Sequence, residues 1–288
     1  MRLAARALSR RGPVPDALDN AIYVGGGVRV SQRRTFQRCS RARRRELQPT
    51  APLTPRPRTA IYSQNPMTTL PYLTLELLKE EAGKYGAVLT TTPIEDLYGV
   101  NDGKTVGTYV EHAFGETLSS GYAVEIGSSA SGIDFPELDV DLKVTSIKQP
   151  QSSSPFRDAT QKVYGLGYHL LVFVYSKTDD PETQAANLSV EHVLFIDASR
   201  TGDYLTTTGV RTILDQGGNV EDLDAFFQER NLPLDDIGRR TLAERVMEER
   251  PMLGALTISN ALQWRLQYGR AIVFANGDSL DGVEALLT

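Results

Sequence analysis

Asp134, Asp141 and Lys143 are the residues whose types and spacing could do chemistry. From Asp139 onward apolar and polar residues alternate through Val140-Asp141-Leu142-Lys143-Val144-Thr145. Read as a strand, this sends Val140, Leu142 and Val144 to one face and Asp141 and Lys143 to the other. Asp134 precedes a Pro-containing bend, Phe135-Pro136-Glu137-Leu138, that could fold it back beside Asp141. Two neighbouring carboxylates with room for phosphate oxygens and water suit Mg²⁺, a cation that prefers hard oxygen ligands and keeps several waters. The lysine adds a fixed positive charge at a reacting phosphate. Mg²⁺-dependent phosphodiester chemistry is the reading of the combination; for a bare Asp-x-Lys triplet a solvated strand face would serve as well.

Upstream, a helix is expected over Lys104 to Leu118, with Val106, Tyr109, Val110, Ala113 and Phe114 as its buried stripe. Glu111 flanks that stripe, either as an additional metal-facing carboxylate or as an ordinary polar neighbour. Gly107-Thr108-Tyr109-Val110-Glu111 on this helix, then Asp134-Phe135-Pro136-Glu137-Leu138 and Asp141-Leu142-Lys143, resemble the PD-(D/E)XK nuclease superfamily. Locally the wording is similar to the branch that holds the MutH mismatch-repair nicking enzyme and its type II restriction endonuclease relatives. Asp141 stands where that branch has Glu, and the spacer between Glu111 and Asp134 is longer. The likeness covers residues 104–147. It implies a restriction-endonuclease-like α/β (α+β) fold, a central mixed sheet flanked by helices. It further implies a type II site-specific deoxyribonuclease, with Mg²⁺ held by Asp134 and Asp141, Glu111 assisting, and Lys143 activating water and stabilising charge on the phosphate. Double-stranded DNA would be the substrate, a homodimer the natural assembly, and a DNA methyltransferase a candidate companion. The rivals are a mismatch-repair-type nickase, a catalytically inactive DNA-binding protein on the same fold, and an α/β domain unrelated to nucleic acid in which Asp141 and Lys143 merely pair.

Charge divides the 288 residues unevenly. Residues 1–66 hold fourteen Arg and no Lys against Asp16, Asp19 and Glu46, a net of +11; the remainder has 17 bases against 33 acids, a net of −16. Rich in Pro, Arg, Ser and Gly and without periodicity, the first segment reads as disordered. It could be a basic arm, an Arg-rich transit peptide, or residues upstream of the true start; the change of character at Met67 favours the last. The acidic remainder predicts weak DNA binding without Mg²⁺, because unneutralised carboxylates repel phosphate. Cys39 is the lone cysteine, which excludes a disulfide framework. No apolar run approaches the ~20 residues that span a bilayer, so a cytoplasmic protein is expected.

The expected organisation is a nuclease core over 67–200 and a helical, winged-helix-like lobe over 201–288. Within the core, Thr74 to Tyr85 reads as a first helix ending near Gly86, Ser119 to Gly132 as a flexible loop, and Gln149 to Ser154 as a polar loop. A short helix should follow between Pro155 and Gly165, with Arg157 and Lys162 as surface charge in preference to phosphate contacts. His169–Tyr175 and Val190–Ile196 have the length and β-branched content of core strands, and their histidines read as structural. In the lobe, Thr257–Arg270 reads as a helix whose exposed Asn260, Gln263, Arg265, Gln267 and Arg270 could contact DNA. A strand is expected over Arg270–Phe274.

Overall fold

The computed structural model describes residues 70–127, 132–155, 157–260 and 263–287, without the side chains of Pro155 and Gln263. The basic segment and Met67 lie outside the described residues.

Two amphipathic helices come first. Helix α1, Leu75–Thr91, is capped by Thr74, whose hydroxyl accepts from Leu77 N at 3.3 Å. It runs a turn and a half past the expected end because Gly86 belongs to its buried stripe of Leu78, Ala82, Gly86 and Leu89. A Cβ at Gly86 would sit 2.7 Å from Val193 Cγ2, so the missing side chain lets the helix lie close on the sheet. Helix α2, Gly103–Gly121, starts at Asp102, whose carboxylate accepts from Lys104 N and Thr105 N. It reaches to Gly121, absorbing the beginning of the expected loop.

The strands build two sheets. In the first, β1 (Val140–Ser146) is an edge strand parallel to β3 (His169–Asp180); β4 (Ala185–Ile196) and β7 (Val283–Ala285) continue it antiparallel, in the order β1-β3-β4-β7. The expected core strands are thus present, each longer at its outer end. The second sheet has the order β2-β6-β5, from β2 (Gln151–Pro155), β6 (Gln263–Gln267) and β5 (Thr257–Ile258), all antiparallel. Here the structure corrects the sequence reading twice. Gln151–Pro155 is a strand rather than a loop, and Thr257–Arg270 is not a helix. Trp264, Leu266 and Tyr268 are buried while Arg265 and Gln267 are exposed, a period of two that fits a strand packed on one face. Arg270 to Phe274, expected as a strand, lies in helix α7 (Gly269–Asn276), which buries Ala271 and Phe274 three positions apart.

Both faces of the four-stranded sheet are covered. Leu171, Phe173 and Tyr175 of β3 pack with Val140 and Leu142 against α1 and α2. Leu170, Val172 and Val174 point the other way, into a core with Trp264, Leu266, Tyr268, Ala271 and Phe274. A strand buried on both sides is apolar throughout, as β3 is. A third cluster joins α4 (Tyr204–Asp215), α5 (Val220–Glu229) and α6 (Asp236–Glu248) through Val210, Leu223, Phe227, Leu242 and Val246, with Val163 of the four-residue α3 (Gln161–Tyr164). Helices α5 and α6 are where the apolar spacing after Val220 puts helices; α4, before Val220, is an addition to that reading. No helix among the described residues is long and apolar enough to cross a membrane.

Phe114 of α2 is fully buried, 5.6 Å from Phe173 and 6.3 Å from Phe135, edge-on to both. It joins helix, sheet and the loop that carries Asp134. Phe114→Ala should lower unfolding free energy by about 3–5 kcal/mol in urea denaturation; a loss under about 1 kcal/mol would show that this packing is not central.

Candidate active site

The site is made by a short return of the chain onto β1. Phe135 N donates to Val140 O at 2.9 Å and Val140 N to Phe135 O at 3.2 Å. Between them Pro136–Leu138 form one turn of 3₁₀ helix, and Asp139 closes it in the left-handed region at φ 52°. Proline sets φ at the first turn position, and Asp is among the residues that tolerate a left-handed backbone. With residue 135 facing 140, antiparallel register sets 134 opposite 141, and directly opposed residues share a face. The seven-residue spacing from Asp134 to Asp141 is therefore a four-residue loop plus the next pair outward.

Register brings the carboxyl groups of Asp134 and Asp141 into hydrogen-bonding contact. Asp134 Oδ2 also accepts from Leu142 N at 2.8 Å, satisfying a backbone donor on the outer edge of β1. Asp141 is 5% exposed. Lys143 Nζ lies 2.7 Å from its Oδ1 and also donates to Leu142 O at 3.0 Å. Burial pushes the Asp141 carboxyl up to about 7, helped by the hydrogen bond from Asp134's side and opposed by Lys143. Glu111 reaches the same edge from α2. Its carboxyl is raised by burial and by the charge of Asp134, and lowered by Lys143.

Two clefts meet at Glu111. The first, of about 390 Å³, is lined by Asp134, Leu142, His112 and Glu116 among others. The second, of about 770 Å³, holds Lys143 with Lys104, Thr108, Gln149, Ser153 and Arg265. Asp134 thus opens on the first cleft and Lys143 on the second, with Glu111 lining both, while buried Asp141 lies behind them. Among the described residues no three His, Cys, Asp or Glu side chains converge to close round a cation. A pair of carboxylates is nevertheless a fitting donor set for Mg²⁺, which takes one or two from protein and retains waters. The upward displacement of Asp141 comes first from burial, and Lys143 only partly offsets that cost of charging the carboxylate.

The sequence reading missed the supports behind the pair. Thr145, on the same face as Asp141 and Lys143, accepts from Gln151 N at 3.0 Å and donates to Gln151 O at 3.0 Å, tying β2 to β1. Fully buried Tyr268 bonds Ser152 at 2.5 Å, and Tyr168 bonds Ser154; both tyrosines are raised by burial and, in lesser measure, by Asp141. The alternation of Thr145 with Asp141 and Lys143 was visible; partners on β2 and β6 were not.

The expected DNA-contacting residues are dispersed. Arg265 lines the second cleft with Lys143, and its Nη1 donates to Ser153 Oγ at 2.7 Å. Gln267 is exposed two residues along the same strand. Asn260 accepts from Lys162 Nζ and donates to Arg230 O at 3.1 Å. Arg270 lies over the Tyr204 ring at 4.3 Å. The side chain of Gln263 is outside the described residues. Lys162 is no surface charge: it is 2% exposed and donates to Ile258 O at 3.0 Å, with Trp264 beneath it. His169 accepts from Ala198 N at 2.9 Å and stacks on Phe195, the structural role expected of it.

Because the folded chain holds a proton on Asp141 that the unfolded chain releases above its ordinary value of 3.8, the metal-free protein loses stability as pH rises from about 4 to about 7. Asp141→Asn removes that loss. In urea titrations without divalent metal the variant should exceed wild type at pH 8 by on the order of 3 kcal/mol, the gap shrinking towards pH 4; a pH-independent gap would contradict the burial account.

Comparison with known proteins gives a family match. The sequence pattern described as type II restriction enzyme NspV matches residues 72–285. The type II restriction enzyme NspV of Nostoc sp. (strain ATCC 29411 / PCC 7524) is 51% identical over 211 residues, covering 73% of this chain and 95% of the relative. No solved structure matches.

Proposed function

The chain belongs to the NspV family of type II restriction enzymes, and on that premise we propose that the Asp134–Asp141 pair with Lys143 is its catalytic centre. A protein of this family is a site-specific endonuclease acting on double-stranded DNA. Such enzymes use a divalent metal; the oxygen-only donor set favours Mg²⁺. The observation that carries the proposal is the contact of two carboxyl groups across the Phe135–Val140 turn, with an ammonium 2.7 Å from one of them.

Each side chain has a separable task. Asp134 and Asp141 would hold the metal, which supplies Lewis-acid stabilisation of the phosphate and its attacking water. Asp134 is itself fixed by Leu142 N, so its carboxylate is oriented before any ligand arrives. Lys143, leashed to Asp141 and Leu142 O, orients the water and offsets charge developing on the phosphate oxygens. Glu111, at the meeting of both clefts, would assist as a further carboxylate beside the pair, accepting hydrogen bonds there. The reaction is hydrolysis of a phosphodiester bond by in-line attack, water adding at phosphorus as the ester oxygen leaves. A homodimer would apply one such centre to each strand of a symmetric sequence. A DNA methyltransferase would then be the companion that protects the host's own sites.

Digestion of unmethylated phage DNA by the full chain with Mg²⁺ tests this. Wild type should yield discrete fragments, and Asp141→Asn and Lys143→Ala should each lower kcat by about 10²-fold or more. Fragments of equal yield from all three proteins would place the active site elsewhere.

A further inference from the structure

The second sheet offers a face unlike the rest of this acidic chain. Its inner side is apolar, with Ile258, Trp264 and Leu266 buried against the central sheet. Alternation turns Gln151, Ser153, Thr257, Arg265 and Gln267 outward. All are amides, hydroxyls or a guanidinium, the groups that bond base edges. None is an acid. Gln151, Gln267 and Thr257 stand in one row across the three strands, since Gln267 is paired with both of the others. Ser153 and Arg265 form the next row, joined by the 2.7 Å bond that holds the guanidinium in place. Gln151, Ser153 and Arg265 also line the cleft containing Lys143, so this face is continuous with the proposed catalytic groove. In that cleft Lys104, Lys143 and Arg265 meet Glu111 as the one carboxylate among the described lining residues, a charge balance that suits DNA.

We infer that the outward face of β2 and β6 reads base edges in the major groove next to the scissile phosphate, with Gln267, Gln151 and Arg265 determining specificity. The inference rests on the nuclease reading above. A β-ribbon fits a major groove, amides pair in bidentate fashion with adenine, and guanidinium with guanine. Rows two residues apart along a strand are ~7 Å apart, about two base-pair steps at 3.4 Å each. Arg265 and Gln267 therefore address positions about two base pairs apart.

The test takes the sequence cut by wild type and compares duplexes carrying that sequence with duplexes altered at each single base pair, with Mg²⁺, for wild type, Gln267→Ala, Arg265→Ala and Gln151→Ala. The variants should keep the thermal stability of wild type, since these side chains are exposed or half-buried. Each should lose about 10- to 100-fold in kcat/KM on the preferred sequence, while its discrimination collapses at one or two positions only. Loss of cutting by an equal factor on every duplex would make these residues backbone contacts and overturn the inference. So would unchanged discrimination in all three variants. Absence of specific cutting by wild type would instead overturn the nuclease reading, and this inference with it.

Discussion

The register in which Phe135 faces Val140 is the constraint on which the centre depends. Two backbone hydrogen bonds close a four-residue loop, and the pair immediately outside that loop is Asp134 and Asp141. A shift of one residue would turn Asp134 to the opposite face and leave buried Asp141 paired with Lys143 but with no second carboxylate beside it. Three things hold the register: proline at the turn, Asp139 in a left-handed conformation, and Phe135, which is 2% exposed and seated against Phe114. Packing of α2 on the sheet therefore sets the position of a carboxylate that α2 does not carry.

Burial gives this geometry its chemical character. Asp141 is buried away from most of its water, and its proton becomes harder to remove despite an adjacent ammonium. A site in that state has a standing demand for positive charge. A divalent cation would meet that demand. The same demand costs the empty protein stability at neutral pH, a common relation between catalytic carboxylates and folding.

Much of this was legible in the sequence, and for identifiable reasons. Alternation from Val140 to Thr145 announced an edge strand, and the apolar runs after His169 and Val190 announced the strands beside it. Glu111 sat at the margin of a helical stripe and does line both clefts. The failures cluster in the second sheet. Ile258, Leu262 and Leu266 fall four apart and suggest a helix, although Trp264, Leu266 and Tyr268 alternate with equal clarity. What decides between these periods is pairing with β2, and β2 is a run of Gln and Ser that carries no apolar signal of its own. Its partner lies more than a hundred residues away, so neither strand could be recognised without the other. Arg265 and Gln267 were selected for their chemistry, but on the wrong secondary structure.

The most direct test of the central claim is anomalous diffraction from crystals of the full chain soaked in Mn²⁺, which takes the same oxygen ligands as Mg²⁺. A peak is expected between Asp134 and Asp141, within coordination distance of both carboxylates, and no such peak in Asp141→Asn crystals treated identically. A wild-type peak that touches neither carboxylate, or one that persists unchanged in the variant, would contradict it.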